Sequence, residues 1–197
     1  MRNSWIGMLA LTMNIGLCAA HADTKQSDFD VTQLMQNLGQ VKIAKGTFVE
    51  RKYLSILNAP LESSGTLVYT APEHLEKHTL LPKPESMVLE QDKLTLENKA
   101  KKQRRTVLLQ DYPVIWAFVE SIRSTLAGDL ATLKRFYRVS LEGSPSQWQL
   151  LLIPIEPGMQ SVVSEVHISG KKNWIHTIEI RETGGDHSVM TVTEDAS

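Results

Sequence analysis

Residues 65–97 read GTLVYTAPEHLEKHTLLPKPESMVLEQDKLTLE, and this stretch decides the fold. Leu67, Tyr69 and Ala71 fall on one face of an extended segment, Val68 and Thr70 on the other. Pro72 interrupts it, because proline has no N–H to give a ladder. Residues 75–81 resume an extended run, and Pro82-Lys83-Pro84 breaks it as a turn. Residues 87–89 form a short apolar strand, Glu90-Gln91-Asp92-Lys93 a polar turn, and Leu94 and Leu96 alternate out of it. Short, evenly spaced strands joined by turns favour a large antiparallel sheet or partial barrel over alternating β-α-β units. A curved sheet has a concave face, and a concave apolar face can hold a ligand.

The flanking segments extend this pattern. Phe29, Leu34, Met35 and Leu38 share a face of a short helix that Gly39 closes. Residues 41–57 read as one long strand or a bent pair, with Gly46 marking a bulge or kink. Residues 98–105 form a basic hairpin tip. Such runs are ordinarily solvated turns, and the alternative is a contact with anionic headgroups or an acidic partner. Residues 111–128 form the one strong helix, with Asp111 as its N-cap and Gly128 at its end. Ile115, Phe118, Val119, Ile122 and Leu126 line one stripe at helical spacing, flanked by Trp116 and Arg123. Asp129 caps a second helix over 130–136. Strands return afterwards. Residues 148–155 are nearly all apolar, which predicts cover on both faces. Pro157-Gly158 turns the chain, and hairpin turns are expected at Gly170 and at Gly184-Gly185. About ten strands are expected in all.

The chain has 197 residues and a formal charge of −1, so no basic field points to nucleic acid. Its N-terminus reads as a secretory signal: Arg2, an apolar region over 5–17, and Ala20-His21-Ala22 as the cleavage site. The expected division is a signal peptide over 1–22 and a single domain over 23–197. No later segment is apolar enough for a transmembrane helix. The one cysteine, Cys18, leaves with the signal, so the mature chain has no disulfide and no thiolate for metal or catalysis.

No catalytic or nucleotide-binding motif is present, and the reading is a protein that is not an enzyme, with no catalytic residue, no metal site and no cofactor. His74 and His78 share a strand face at roughly 13 Å, too far apart to share one metal ion. The apolar material says more. A helix stripe usually closes a core, but one amphipathic helix inside a sheet-forming chain also suits a lid across a concave face. Trp116 and Phe118 would be large, adaptable contacts there.

Gly46-Thr47-Phe48-Val49-Glu50 after a helix, and Gly65-Thr66-Leu67-Val68-Tyr69-Thr70-Ala71-Pro72 before an extended strand, resemble the LolA-type periplasmic lipoprotein carriers. The 87–96 hairpin and the helix after Asp111 come in the same order. The resemblance implies a mainly β, α+β fold: an unclosed antiparallel barrel whose helices roof a hydrophobic cavity. It also implies acyl chains taken from an inner-membrane donor and passed to an outer-membrane acceptor. The carriers have an arginine before the proline that follows their second conserved strand. Here that residue is Ala71, and the next strand reads Leu75-Glu76-Lys77-His78 where the carriers offer aromatic residues. The chain is therefore read as a LolA-like relative whose lid control differs from the housekeeping carrier's.

The functional expectation is a periplasmic carrier or chaperone, monomeric, in a Gram-negative envelope. It binds acyl chains of a lipoprotein or another lipid for transfer towards the outer membrane. Leu67, Tyr69 and Leu75 would face the ligand from the sheet, and Ile115, Trp116, Phe118, Val119 and Ile122 from the helix. The alternative is an envelope sensor or protein-interaction module using the same half-barrel without a lipid. A hydrolase of envelope lipids lacks a nucleophile near a base.

Overall fold

The computed structural model describes residues 29–195; the expected signal segment over 1–22 lies outside them. Helix α1 (Val31–Leu38) opens the described chain. Strands β1 (Ile43–Tyr53), β2 (Leu61–Thr70), β3 (His74–Leu81), β4 (Glu85–Glu90), β5 (Lys93–Asn98) and β6 (Gln103–Leu108) follow. A 3-10 turn (Leu109–Asp111) leads into α2 (Pro113–Ala127) and α3 (Leu130–Phe136). Then come β7 (Tyr137–Ser144), β8 (Gln147–Pro154), α4 (Pro157–Gln160), β9 (Val163–Lys171), β10 (Trp174–Glu182) and β11 (His187–Glu194).

All eleven strands belong to one antiparallel sheet, ordered β6-β5-β4-β3-β2-β1-β11-β10-β9-β8-β7. Two meanders thus run outward from the central pair β1 and β11, where Phe48 faces Val192 and Glu50 faces Met190. The sheet is curved and unclosed. The chain leaves it at one edge, β6, and re-enters at the opposite edge, β7. Between them lie mainly α2 and α3, so these helices must cross the face of the sheet. Ten inter-strand steps would separate the edges of a flat sheet by about 48 Å. The two helices reach at most about 33 Å, and curvature closes the difference. The crossing segment is therefore a roof by topology.

The roofed face buries two clusters. The larger joins Leu34, Met35 and Leu38 of α1 and Leu133 of α3 to Trp148, Leu150, Leu152, Val166 and Ile168 of the β8–β9 side. The smaller holds Leu89, Leu94, Leu109 and Val119, with Leu75, Met87, Val107, Trp116 and Phe118 partly buried around it. Phe118 borders both. Asp30 accepts from the Gln33 N–H at 2.8 Å and starts α1, and Asp129 accepts from Thr132 N–H at 2.9 Å and starts α3. At the end of α2, Gly128 adopts φ 71°, and a Cβ there would lie 2.2 Å from the Met35 carbonyl oxygen. Only glycine fits both demands.

Several sequence expectations need correction. Asp111 does not cap α2: Tyr112 occupies that position with no side-chain cap bond, because Asp111 is drawn into the preceding 3-10 turn. Gly46 marks no bulge; it pairs regularly with Leu67 and Glu194. A Cβ there would meet the Thr193 carbonyl oxygen at 2.6 Å. The irregularity falls at Ser64 and Gly65, opposite β3. Gly170 lies inside β9, where a Cβ would stand 2.4 Å from Cζ2 of Trp148. Strand β8 is covered on one face only, with Trp148, Leu150 and Leu152 buried and Gln149 exposed, since the buried clusters unite the helices with one face of the sheet. Arg104 and Arg105 belong to β6, and Pro157-Gly158 opens α4.

Candidate functional site

Residues directly opposite one another in antiparallel strands point to the same face, so the inner face of β2–β6 can be read row by row. One row is apolar: Tyr69, Leu75, Leu89, Leu94 and Val107. The next is mixed: Leu67, Lys77, Met87, Leu96 and Arg105. The third, Thr79, Glu85, Asn98 and Gln103, is polar, and Asn98 donates to Glu85 at 2.8 Å. Helix α2 lies on the apolar row. The mixed and polar rows line a groove of about 880 Å³ that ends at Lys101 and Lys102 of the β5–β6 tip.

Two groups in this region are already partnered. Lys77 Nζ lies 2.5 Å from Glu50 Oε2 and 4.9 Å above the Phe48 ring. Arg105 donates to the Tyr112 hydroxyl at 2.9 Å. Tyr69 is different. It is 3% exposed, and its hydroxyl has no hydrogen-bond partner among the described residues. Burial pushes its ionisation above the usual phenol range.

On α2 a polar group is buried as well. Glu120 is 3% exposed, ion-paired with Arg123, and accepts from Trp116 Nε1 at 3.2 Å and from Ser124 at 3.4 Å. Arg123 also donates to the Gln91 carbonyl at 3.0 Å, tying the middle of α2 to the β4–β5 turn. Sequence reading placed Trp116 and Arg123 beside the stripe and missed Glu120. The signal was its spacing, four after Trp116 and three before Arg123.

The eight expected ligand-facing residues do not all meet. Leu75, Trp116, Phe118 and Val119 come together in the smaller cluster. Ile122 packs against the larger one. Tyr69 and Leu67 lie on the inner face beside Leu75. Ile115 is 41% exposed at the open end of α2. Trp116 also meets Phe136 of α3 edge-on, with ring centroids 5.5 Å apart. Lys77 was not expected at the site, and Arg105 only as part of the basic hairpin tip; the row register places both on the inner face.

The outer face carries the histidines. Glu76 accepts from both His74 and His78, at 2.6 and 2.5 Å, which holds its carboxyl below the usual range. A second outer groove of about 870 Å³ contains His167, which lies 2.9 Å from Gln149 and 3.1 Å from Glu165. Arg181 bridges Glu165 and Glu179. In both places the titratable groups engage one another, and no trio of metal-ligating side chains occurs among the described residues.

A family described as outer membrane lipoprotein carrier protein LolA-like matches residues 22–196. The chain belongs to that LolA-like family. No curated protein matches the sequence. Solved structures with similar outlines include a LolA superfamily protein from Nitrosomonas europaea, at 9% identity and TM-score 0.42, covering 84% of this chain and 92% of that one. A lipoprotein-sorting domain from Vibrio parahaemolyticus gives 10%, 0.45, 85% and 92%. The MucA/MucB complex of Pseudomonas aeruginosa gives 13%, 0.46, 85% and 58%. Among the described residues no helix of this LolA-like chain is long and apolar enough to cross a membrane.

Proposed function

We propose that this LolA-like chain is a periplasmic carrier, secreted by cleavage of residues 1–22, that holds the acyl chain of a lipid or lipoprotein between α2 and the inner face of β2–β6. The single domain over 23–197 would take its cargo from an inner-membrane donor and yield it to an outer-membrane acceptor. One observation carries this reading: the two ends of α2 are anchored unequally. The C-terminal half is fixed by Ile122 and Leu126 in the larger cluster and by the Gly128–Met35 contact. The N-terminal half has no side-chain cap and rests mainly on three buried partners, Leu89, Leu94 and Leu109, with Phe118 alone reaching the larger cluster and Trp116 touching Phe136 of α3. A helix held this way can swing at one end while the fold survives.

The expected ligand-facing residues divide accordingly. Leu67, Tyr69, Leu75, Trp116, Phe118 and Val119 would line the opened space, Ile115 would stand at its mouth, and Ile122 would act as the fixed end. The test is displacement of a fluorescent fatty probe, with mass spectrometry of organic extracts of the purified protein. Val119→Glu should weaken probe binding at least about tenfold while the protein stays folded, whereas Ile122→Glu should unfold it. Absence of both extracted lipid and probe binding would sink the carrier reading.

One observation favours a second reading. Helix α2 sits directly on Leu89 and Leu94, so the interior is occupied by the protein's own side chains. A protein-interaction module would use such a filled half-barrel, and a stable protein complex in pull-downs without lipid would select it.

A further inference from the structure

The open groove beside α2 has a chemical gradient, and it specifies more than a greasy chain. Moving across the sheet from under the helix, the rows change from apolar through mixed to polar. In the mixed row Met87 and Leu96 lie between Lys77 on one side and Arg105 on the other. The groove is lined by Lys77, Lys101, Lys102, Arg104 and Arg105 against only Glu85 and Glu97. Lys77 is neutralised by Glu50. Arg105 has no carboxylate at ion-pair distance among the described residues, and it donates instead to the neutral Tyr112 hydroxyl. Its planar fork keeps further N–H groups to donate.

We infer that the cargo is an amphiphile with an acidic headgroup, carboxylate or phosphate, which Arg105 receives while the chain runs over Met87 and Leu96 towards Trp116. This rests on the carrier reading and adds the class of cargo to it. Lys101 and Lys102, at the tip of the same groove, raise the local positive potential and draw the head in. Because Lys77 is already paired, the mixed row itself offers one uncompensated cation, which matches a head of low charge rather than a polyanion. Arg105 and Arg104 are consecutive in β6, so their side chains leave opposite faces, and Arg104 belongs with the outer Thr106, whose hydroxyl lies 3.1 Å from that of Thr95.

The test compares a fluorescent long-chain fatty acid with its methyl ester, both below their aggregation limits, at neutral pH. The acid should bind at least about tenfold tighter than the ester, as expected of a hydrogen bond to a charged group. The ratio should fall towards one in Arg105→Gln and with rising salt, and stay near the native value in Arg138→Gln, an exposed site on β7 at the opposite edge of the sheet. A long-chain alkyl phosphate should behave as the acid does. Equal binding of acid and ester, unaffected by Arg105→Gln, overturns the headgroup inference and leaves the carrier reading standing. Binding of neither overturns both. Anionic vesicles serve as the last arm. Sedimentation of the protein with them, without discrimination between monomeric acid and ester, would reassign the basic tip to a membrane surface and overturn the inference. Circular dichroism of both variants confirms that the fold is retained.

Discussion

Tyr69 shows what a single side chain can cost. Its ring is buried between Ala44 and Leu75 on the inner face, yet its hydroxyl meets no partner among the described residues. A buried unmade hydrogen bond costs about 1–3 kcal/mol. Tyr69→Phe should therefore stabilise the ligand-free protein by about 1 kcal/mol in chemical denaturation and, if the ligand supplies the missing partner, weaken probe binding. Asp129 is the converse case, a polar group with full employment. The Thr132 backbone N–H holds its carboxyl below the ordinary range. A depressed folded-state pKa gives stability that is complete above the unfolded pKa and lost as pH falls through the folded one. Asp129→Ala should cost about 1 kcal/mol at neutral pH. The gap between mutant and native melting temperatures should shrink as pH drops below about 4 and close once the native carboxyl is protonated.

At the scale of elements, α2 is held by the polar triad of Trp116, Glu120 and Arg123 as much as by its stripe. Removing Arg123 leaves Glu120 buried without its counter-charge, and breaking a buried pair from one side costs about 3–5 kcal/mol. Arg123→Met alone should be strongly destabilising, and Glu120→Gln with Arg123→Met should recover most of the loss. A denaturant double-mutant cycle measures the coupling directly. The distinction between stripe and triad also marks how far the sequence could be read. The 65–97 hairpins are legible because alternation, prolines and turn residues are local signals, and so is the Asp129 cap. Gly46 and Gly170 are not, since each exists to admit a neighbour distant in sequence: the Thr193 carbonyl and the Trp148 ring. Strand β8 misled for a related reason. Leu151 and Ile153 are apolar but face the unroofed side, and no periodicity reports which side carries helices. Half of the candidate site was visible as apolar positions. Of its cations, Lys77 was not, and Arg105 read only as a charge of the basic tip, because the register of four strands is what sets both on one row.

For the whole molecule, the carrier proposal requires that the balance between a seated helix and a bound chain allow both loading and unloading. Lifting the N-terminal half of α2 uncovers Val119, Trp116 and their sheet partners Leu89 and Leu94. At about 1.5–3 kcal/mol for each buried large side chain, the three buried ones and the partly buried Trp116 amount to roughly 5–11 kcal/mol. Burying a sixteen-carbon chain contributes roughly 12 kcal/mol at about 0.8 kcal/mol per CH₂, so an acyl chain can replace the helix contacts without binding irreversibly. The membrane offers the same chain a similar stabilisation, which leaves transfer near balance in both directions. On the carrier proposal, Arg123, bonded to the Gln91 carbonyl, marks the point beyond which the helix stays down. Native-state hydrogen exchange should then divide α2 at that residue. Amides over 115–119 should exchange at least about tenfold faster than those over 123–127, since local opening breaks the smaller cluster and the Phe118 and Trp116–Phe136 contacts but leaves Ile122 and Leu126 seated in the larger one. Saturation with the fatty probe should alter exchange in 115–119 and in β4–β6 while leaving the β7–β10 half unchanged. Uniform protection along α2, unmoved by the probe, would mean that the helix is an ordinary piece of core and that the roof does not open.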